Sequence, residues 1–179
     1  RQLNSRHLEV LETDNSEEGI CCLKVQTVQS EMRVAMAART RLFKQASEQH
    51  PAREPIRDRG YVGERITVNL AEKETVRIEK TVSLHTSRDR AISECGMAAR
   101  DTLMCAGGFD ELLESHKLAW KHIWRSADIW MTDRRKSRQD DRPAMILRLY
   151  TFHIFQTVSW HTIDLDTGVP ARGWHGEAY

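Results

Sequence analysis

Residues 32–43, MRVAMAARTRLF, decide the fold of the first half of the chain. Two sets of side chains alternate in this stretch: Met32, Val34, Met36, Ala38, Thr40 and Leu42 in the first set, and Arg33, Ala35, Ala37, Arg39 and Arg41 in the second. A period of two predicts an antiparallel strand with one face on a core and the other in water. We therefore expect the first set to be buried and the three arginines to form a solvated outer face.

The same period of two extends to both sides of this stretch. Further strands are predicted over residues 8–12, 20–28, 61–70 and 76–84. In the last of these, Val76, Ile78 and Val82 should face the core. Residues 45–58, which include two prolines, are predicted to form a polar loop. Five or so consecutive strands are typical of a meander or of part of an antiparallel β-sandwich.

Beyond the strands, apolar side chains recur at helical spacing. Ser87 or Asp89 can cap a first helix over residues 90–105, which a pair of glycines then ends. A second helix over residues 109–124 carries a stripe of apolar side chains. The tryptophans and His116 on that stripe are interpreted as core residues and not as ligand contacts. A short strand over residues 126–131, an exposed charged loop and a last helix over residues 143–158 follow.

The composition is that of a globular protein of 179 residues, with 40% hydrophobic and 30% charged side chains. A formal net charge of +1 gives no overall field that would attract nucleic acid or a membrane surface. No apolar run approaches the ~18 residues of a membrane span. The cysteines at positions 21, 22, 95 and 105 lack the spacing of a metal site, and we expect reduced thiols in a cytoplasmic protein.

Residues 147–179, LRLYTFHIFQTVSWHTIDLDTGVPARGWHGEAY, have the features of a ligand site. The stretch opens with a helical pattern and then loses all periodicity in a loop punctuated by Pro170 and three glycines. That loop holds charged and aromatic side chains: Asp164, Asp166, Arg172, Trp174, His175, Glu177 and Tyr179. Charged and aromatic side chains on a loop that follows a rigid helix are typical of a polar ligand pocket.

Several parts of this stretch resemble glycoside hydrolase family 65, which contains the maltose, trehalose and kojibiose phosphorylases. The resemblance rests on LRL at 147–149, FH at 152–153, QT at 156–157, and above all GVPARG at 168–173 followed by HGEAY at 175–179. Two positions depart from the family pattern. Trp160 stands where proline is usual, and Trp174 stands where a smaller apolar residue is usual.

The resemblance implies an α+β fold, in which an antiparallel β-sandwich portion is followed by linker helices and the first helix of an (α/α)6 barrel. The corresponding domains would be residues 1–88 for the C-terminal part of the β-sandwich, 89–125 for the helical linker, and 126–179 for the start of the catalytic barrel. The chain begins in strand-like sequence without a methionine and stops inside the motif, so we expect it to be a piece of a larger protein.

The resemblance also implies where the chemistry lies. The general acid of the family, a glutamate, and its phosphate-binding loop are expected beyond Tyr179, so no catalytic residue is assigned to this chain. The candidate substrate-binding residues are Arg172, Trp174, Glu177 and Tyr179. The arginine and the glutamate could hydrogen-bond to sugar hydroxyls, and the two rings could stack on a pyranose. Alternatively, Arg172 and Glu177 do not contact the sugar and only stabilise the conformation of the loop.

No metal site and no cofactor are predicted. Residues 164–175 begin like a calcium loop, but a glycine occupies the fifth place and His175 occupies the twelfth, where an acid is required. His153 and His161 have no ligand spacing either. Inorganic phosphate would act as a co-substrate.

The favoured interpretation is a fragment of a cytoplasmic family 65 glycoside phosphorylase or related hydrolase. The intact enzyme would cleave an α-linked glucose disaccharide with phosphate and with inversion, giving β-glucose 1-phosphate. Its partners would be the disaccharide and phosphate, with no nucleic acid and no membrane, and it would be a homo-oligomer. The 179-residue piece alone would be inactive. The alternative is a non-catalytic β-sandwich module that binds carbohydrate or a protein.

Overall fold

The computed structural model describes residues 7–15, 19–90, 92–129 and 142–158. The strands in these ranges are β1 (Leu8–Asp14), β2 (Ile20–Thr27), β3 (Arg33–Lys44), β4 (Ser47–Gln49), β5 (Arg53–Asp58), β6 (Tyr61–Ile66) and β7 (Arg77–Thr86). The helices are α1 (Cys95–Cys105), α2 (Phe109–Ala127) and α3 (Arg142–Thr157). Antiparallel sheets followed by helices confirm the predicted α+β class. The chain divides into two compact units, Arg1–Leu113 and Glu114–Tyr179.

Strand β3, which carries the period-two stretch, is the centre of the main sheet. One edge of β3 pairs antiparallel with β2 and, farther along, with β4; the other edge pairs antiparallel with β7. Ala37 lies opposite Cys22 of β2 on one side and Ser83 of β7 on the other. Strand β1 extends the sheet beyond β2, and β5 and β6 form a separate antiparallel hairpin. The alternation therefore predicted the central strand correctly.

The two faces of β3 are the reverse of the prediction around Met36, whereas Leu42, a member of the predicted core set, is buried as expected. Ala35 and Ala37 are buried, whereas Met36 is 36% exposed. Helix α1 covers the alanine face, where its Ala99 and Leu103 join the same buried cluster. Because small side chains let a helix approach a sheet closely, dense packing forms over the alanines and not over the larger methionine and valine side chains.

Strand β7 shows the same reversal. Ile78 is 64% and Val82 is 50% exposed, while Glu79 and Ser83 are buried. The predicted burial of Ile78 and Val82 is wrong, because their face of the sheet lies opposite the helix. Side chains at the other predicted core positions are half-buried: Met32, Val34 and Val76.

Two of the three arginines that were predicted to be solvated are half-buried instead. Arg39 donates a hydrogen bond of 2.9 Å to the carbonyl oxygen of Ala106, the residue that follows α1. Arg41 donates a bond of 3.2 Å to Glu79, whose side chain is only 7% exposed. Arg33 is exposed, as predicted. The arginine side of the sheet thus binds the connection between α1 and α2, since carbonyl groups at a helix end need donors from elsewhere.

Helix α1 begins five residues later than predicted and has a different cap. The side chain of Glu94 accepts a hydrogen bond of 2.6 Å from the backbone N–H of Met97. The two predicted caps act on the end of β7 instead: Ser87 accepts from the backbone N–H of Arg33, and Asp89 from that of Thr86. Local side-chain bonds of this kind compete with helix capping, so a serine or aspartate near a helix start does not alone identify the cap.

The segment predicted as a polar loop, residues 45–58, contains β4 and β5. Pro55 lies within β5, opposite Glu64 of β6. Because β5 is an edge strand of a two-stranded sheet, its proline has no second neighbour for which an N–H is needed. The loop predicted over residues 45–58 from its prolines is therefore wrong where β4 and β5 form.

Helix α2 continues to Ala127, so the short strand predicted over residues 126–131 is wrong at its start; residues 130 and 131 lie outside the described ranges. The predicted core stripe is also less buried than expected. Trp120 and Trp124 are half-buried, and His116 is exposed. This stripe serves as a contact surface between helices and not as the centre of a core.

Replacing Leu103 with alanine is expected to lower the free energy of unfolding of the 179-residue chain by about 2–5 kcal/mol. Leu103 is fully buried in the cluster between α1 and the main sheet. Ile78→Ala is the control, with an expected change within about 0.5 kcal/mol because the side chain is exposed. Chemical denaturation measures both variants, and equal losses would contradict the faces assigned to the sheet.

Candidate functional site

The four predicted substrate-binding residues, Arg172, Trp174, Glu177 and Tyr179, lie outside the described residues, as does the rest of the loop after Val158. The structure does describe α3, which carries the LRL, FH and QT parts of the motif and confirms the last predicted helix. The observed geometry is therefore that of the helix leading to the predicted sugar loop.

Helix α3 is held against α2 by aromatic and ionic contacts. The ring of Phe152 lies 4.8 Å from that of Trp120, centroid to centroid. The guanidinium of Arg148 lies 5.4 Å from the centroid of the Trp124 ring, and its Nε is 3.0 Å from Oδ1 of Asp128. Aromatic pairing, a cation over an indole face and an ion pair together fix one side of α3. The motif helix is thus fixed at two successive turns.

Other sides of α3 carry exposed groups. The Nδ1 atom of His153 lies 3.2 Å from Oε1 of Gln156, and both residues are exposed. An imidazole and an amide at this spacing can donate to and accept from hydroxyl groups. The helix also exposes a group of large apolar side chains: Met145, Ile146, Leu149, Tyr150 and Ile154. Within the described residues, nothing covers this apolar side.

A cleft of about 280 Å³ lies between the main sheet and the start of α1. Lys24 of β2 extends into it, with Nζ 2.9 Å from Glu94 and 3.3 Å from Glu12. Arg100 of α1 also lines the cleft and pairs with Asp14 of β1. Each of these charges has an opposite partner, so the cleft contains ion pairs that join α1 to the sheet. Such an arrangement stabilises packing and offers no uncompensated charge to a substrate.

The protonation of Glu94 follows from this geometry. The hydrogen bond from Lys24, followed by those from the backbone N–H groups of Met97 and Gly96, lowers the pKa of Glu94 from 4.5 to about 2. The same bond raises the pKa of Lys24. A general acid for glycoside cleavage needs a raised pKa, which is the opposite shift. Glu94 is therefore a structural carboxylate, and sequence reasoning missed it because its lysine partner lies 70 positions away.

We expect the Glu94–Lys24 pair to make stability depend on pH. Because the folded pKa of Glu94 lies below its unfolded value, its contribution is present above about pH 4.5 and is lost as the pH falls towards 2. The side chain is 35% exposed, and solvent screening reduces the effect to about 1 kcal/mol. Glu94→Asn removes the charge and keeps a capping side chain.

Urea denaturation at pH 7 and at pH 3 checks this prediction. The stability difference between the parent chain and Glu94→Asn should shrink at the lower pH. Glu114→Gln, which removes an exposed carboxylate paired with Lys117, should give a difference that changes little with pH. A pH-independent difference for Glu94→Asn would show that the carboxylate acts only as a helix cap.

A second polar cluster fastens the β5–β6 hairpin to the main sheet. Arg53 and Glu64 form a 2.7 Å ion pair with side chains that are 9% and 8% exposed. Arg53 also donates to the carbonyl oxygen of Thr40, and Glu64 accepts from the backbone N–H of Gly19. Beside this pair, burial and then the carboxylate of Glu64 raise the pKa of the Cys21 thiol. A raised pKa keeps the thiol protonated, so Cys21 is a poor nucleophile.

The described residues contain no group of three or more His, Cys, Asp and Glu side chains placed to hold a metal ion. None of the described helices is long and apolar enough to cross a membrane. The chemistry visible in these ranges is that of ion pairs, caps and aromatic contacts that support a fold.

Comparison with known proteins assigns the family. The sequence model described as "Glycosyl hydrolase family 65, N-terminal domain" matches residues 1–123. An uncharacterized glycosyl hydrolase of Mycobacterium tuberculosis is 35% identical over 179 residues, which are 100% of this chain and 13% of that protein. A kojibiose phosphorylase of Halothermothrix orenii is 27% identical over 171 residues, 90% of this chain and 21% of that protein. A kojibiose phosphorylase of Caldanaerobacter subterraneus is 30% identical over 109 residues, 60% of this chain and 13% of that protein.

The antiparallel sheets followed by the first helices fall within residues 1–123, the part of the chain that matches the N-terminal domain of this family. The chain belongs to glycoside hydrolase family 65. It spans only 13–21% of the length of the known relatives it matches. The matched region ends within α2, so family membership rests on the sheets and first helices and is independent of the motif in the last third.

Proposed function

We propose that this chain is part of a family 65 enzyme that cleaves an α-linked glucose disaccharide by inverting phosphorolysis. The observation that carries the proposal is the family match over residues 1–123. Two relatives named kojibiose phosphorylase, at 27% and 30% identity, support phosphorolysis as the reaction type. Kojibiose, maltose and trehalose are the substrates to be tested first.

The proposed reaction exchanges one bond to the anomeric carbon for another. An oxygen of inorganic phosphate attacks this carbon on the face opposite the leaving sugar, and the glycosidic C–O bond breaks. A general acid gives its proton to the leaving oxygen, so the products are glucose and β-glucose 1-phosphate. Since phosphate itself is the nucleophile, no second carboxylate is needed to activate water. We place the general acid and the phosphate-binding loop beyond Tyr179.

Within this chain we propose a supporting and substrate-binding role. The β-strands and α1 form part of a β-sandwich, and α3 leads into the loop that carries Arg172, Trp174, Glu177 and Tyr179. In this proposal the arginine and glutamate bind sugar hydroxyls and the two aromatic rings stack on the pyranose. The contacts of Phe152 and Arg148 with α2 support this role, because a loop can position substrate only if the preceding helix is fixed.

The remaining features of the proposal concern location, assembly, cofactors and partners. We propose a cytoplasmic, homo-oligomeric enzyme that uses phosphate as co-substrate and needs no metal or organic cofactor. Its partners would be the disaccharide and phosphate, without nucleic acid or membrane. A formal net charge of +1 supports the absence of a nucleic-acid partner.

The reverse reaction tests this function in the full-length protein. Incubation with β-glucose 1-phosphate and an acceptor such as glucose should release inorganic phosphate and form a disaccharide, whose linkage identifies the substrate. α-Glucose 1-phosphate is the matched control and should not react. Absence of phosphate release with every acceptor, combined with measurable sugar binding, would favour the alternative of a non-catalytic carbohydrate-binding module.

A further inference from the structure

A pocket of about 280 Å³ lies between the end of β3, strand β4 and the segment from residue 67 to residue 76. Leu42 of β3 forms its base, since this side chain is only 1% exposed, and Val68 and Val76 beside it are half-buried. Gln49 of β4 lies directly opposite Leu42 in the antiparallel ladder, so the two side chains share one face of the sheet. The pocket therefore combines an aliphatic base with a polar wall.

Several polar groups at this pocket have no partner within the described part of the chain. The side chains of His50, Thr67 and Asn69 line the pocket and form no hydrogen bond with any described residue. Gln49 donates through Nε2 to two carbonyl oxygens of β4, and its Oε1 accepts no bond from a described donor. Imidazole, hydroxyl and amide groups together can both donate and accept, which is what the hydroxyl groups of a ligand require.

The charge at the pocket is balanced. The described residues that line it include one lysine, Lys44, and no arginine, aspartate or glutamate. The Nζ atom of Lys44 lies 3.0 Å from Oε1 of Glu74 and donates a bond of 2.8 Å to the carbonyl oxygen of Asn69. Because the lysine already has an anionic partner, the pocket offers no net charge to an anion such as phosphate. These groups favour a neutral ligand.

The contacts of Lys44 also fix one wall of the pocket. The other carboxylate oxygen of Glu74 accepts a bond of 2.9 Å from the backbone N–H of Ala71, and the backbone N–H of Glu74 donates to the carbonyl oxygen of Ala71 at 3.1 Å. The segment that carries Thr67 and Asn69 is thereby fastened to β3. A ligand would bind to a preformed wall and would lose little affinity to the ordering of the chain.

The turns beside the pocket hold strained backbone. Gln45 and Ala46, between β3 and β4, have φ angles of 46° and 67°, and Lys73, in the segment after the pocket wall, has a φ of 64°. Glu31 is the one other described non-glycine residue with a positive φ. Residues other than glycine adopt this conformation rarely, and such strain is concentrated at functional sites. Its position here supports a binding role for the pocket.

We propose that this pocket binds a neutral monosaccharide. The hydroxyl groups of the sugar would bond with Gln49, Thr67 and Asn69, while its C–H groups would pack on Leu42 at the base. The volume of about 280 Å³ lies at the lower end of the ~300–1,000 Å³ of small-molecule pockets, so it suits one sugar ring better than a disaccharide. The choice of a sugar among neutral polyhydroxy ligands rests on the proposed function, because the proposed reaction releases glucose.

Amide hydrogen exchange of the full-length protein, titrated with glucose, tests this proposal. Exchange in residues 67–76 should slow progressively with glucose, by about 10-fold once the sugar concentration reaches ten times its Kd. Inorganic phosphate alone, which probes for an anion site, should leave exchange in this segment unchanged. Slowing by phosphate alone would overturn the proposal. Unchanged exchange in residues 67–76 with glucose, galactose and mannose at millimolar concentrations would also overturn it.

A double variant locates the sugar in this pocket. Thr67→Val with Asn69→Ala removes two hydrogen-bonding groups from exposed positions, so the fold should be kept. The glucose concentration needed to slow exchange in residues 67–76 should rise about 10-fold or more. Thr75→Val is the matched control, because Thr75 is exposed on the same segment and does not line the pocket; it should bind as the parent does. Equal glucose dependence in the parent and both variants would overturn the assignment.

The exchange measurement does not depend on turnover. Glucose-dependent slowing in a protein without phosphorolytic activity would contradict the proposed function and leave the pocket assignment standing. Phosphorolysis without any slowing in residues 67–76 would overturn the pocket assignment and leave the proposed function standing.

Discussion

Replacement of Arg53 by methionine is expected to lower the free energy of unfolding by about 3–5 kcal/mol, the largest stability effect anticipated in this chain. The change removes the guanidinium from a 2.7 Å ion pair in which both side chains are almost fully buried. It leaves the carboxylate of Glu64 without its cation and the carbonyl oxygen of Thr40 without its donor. Chemical denaturation of the 179-residue chain measures the loss.

Arg65→Met is the matched control for this prediction. Arg65 lies on the same hairpin and pairs with Glu54 at 3.3 Å, but those side chains are 68% and 69% exposed. Its removal should cost at most about 1 kcal/mol. Adding Glu64→Leu to Arg53→Met should recover part of the lost stability, because no buried charge then remains unpaired. Similar losses for Arg53→Met and Arg65→Met would contradict the anchoring role of the buried pair.

Replacement of Arg172 by methionine in the full-length enzyme is expected to lower kcat/KM for the disaccharide by about 10- to 100-fold. This range corresponds to the loss of a charge-assisted hydrogen bond of about 1.5–3 kcal/mol in the transition state. Steady-state phosphorolysis rates measure the effect. Full activity in the variant would remove Arg172 from the proposed site.

A second readout separates sugar binding from pinning of the loop. If Arg172 binds the sugar, KM should rise while limited proteolysis of residues 168–179 stays at the rate of the parent enzyme. Arg172 could instead only hold the loop in place through an interaction with Glu177. In that case both Arg172→Met and Glu177→Gln should accelerate proteolytic cleavage of the loop. The double variant should then be cleaved no faster than the more rapidly cleaved single variant. Accelerated cleavage with an unchanged KM would contradict direct sugar binding.

The strands of this chain could be predicted from sequence because the period of two is a local property. Alternation from residue 32 to residue 43 identified the central strand, and its ends differ from the observed β3 by one residue on each side. Which face of the strand is buried is not determined by the local sequence. Ala35 and Ala37 lie in the core because α1 packs on them, and the larger Met36 lies on the face that α1 leaves open. Hydrophobicity alone favoured the wrong face at these positions, although it correctly predicted the burial of Leu42 on the same strand.

Long-range polar contacts could not be predicted from the sequence either. Arg39 and Arg41 alternate with apolar residues as solvated side chains do, yet they bind Ala106 and Glu79. The partners lie 67 and 38 positions away, so no local pattern could identify them. The predicted substrate-binding loop presents the converse case. Its motif is local in the sequence, but residues 159–179 lie outside the described ranges.

Phosphorus NMR of the forward reaction tests inverting phosphorolysis most directly. The full-length protein is incubated with kojibiose, maltose or trehalose, with and without inorganic phosphate. We expect one of these disaccharides to give glucose and β-glucose 1-phosphate, with no cleavage when phosphate is omitted. Release of two glucose molecules without phosphate, or formation of the α-anomer of glucose 1-phosphate, would contradict inverting phosphorolysis.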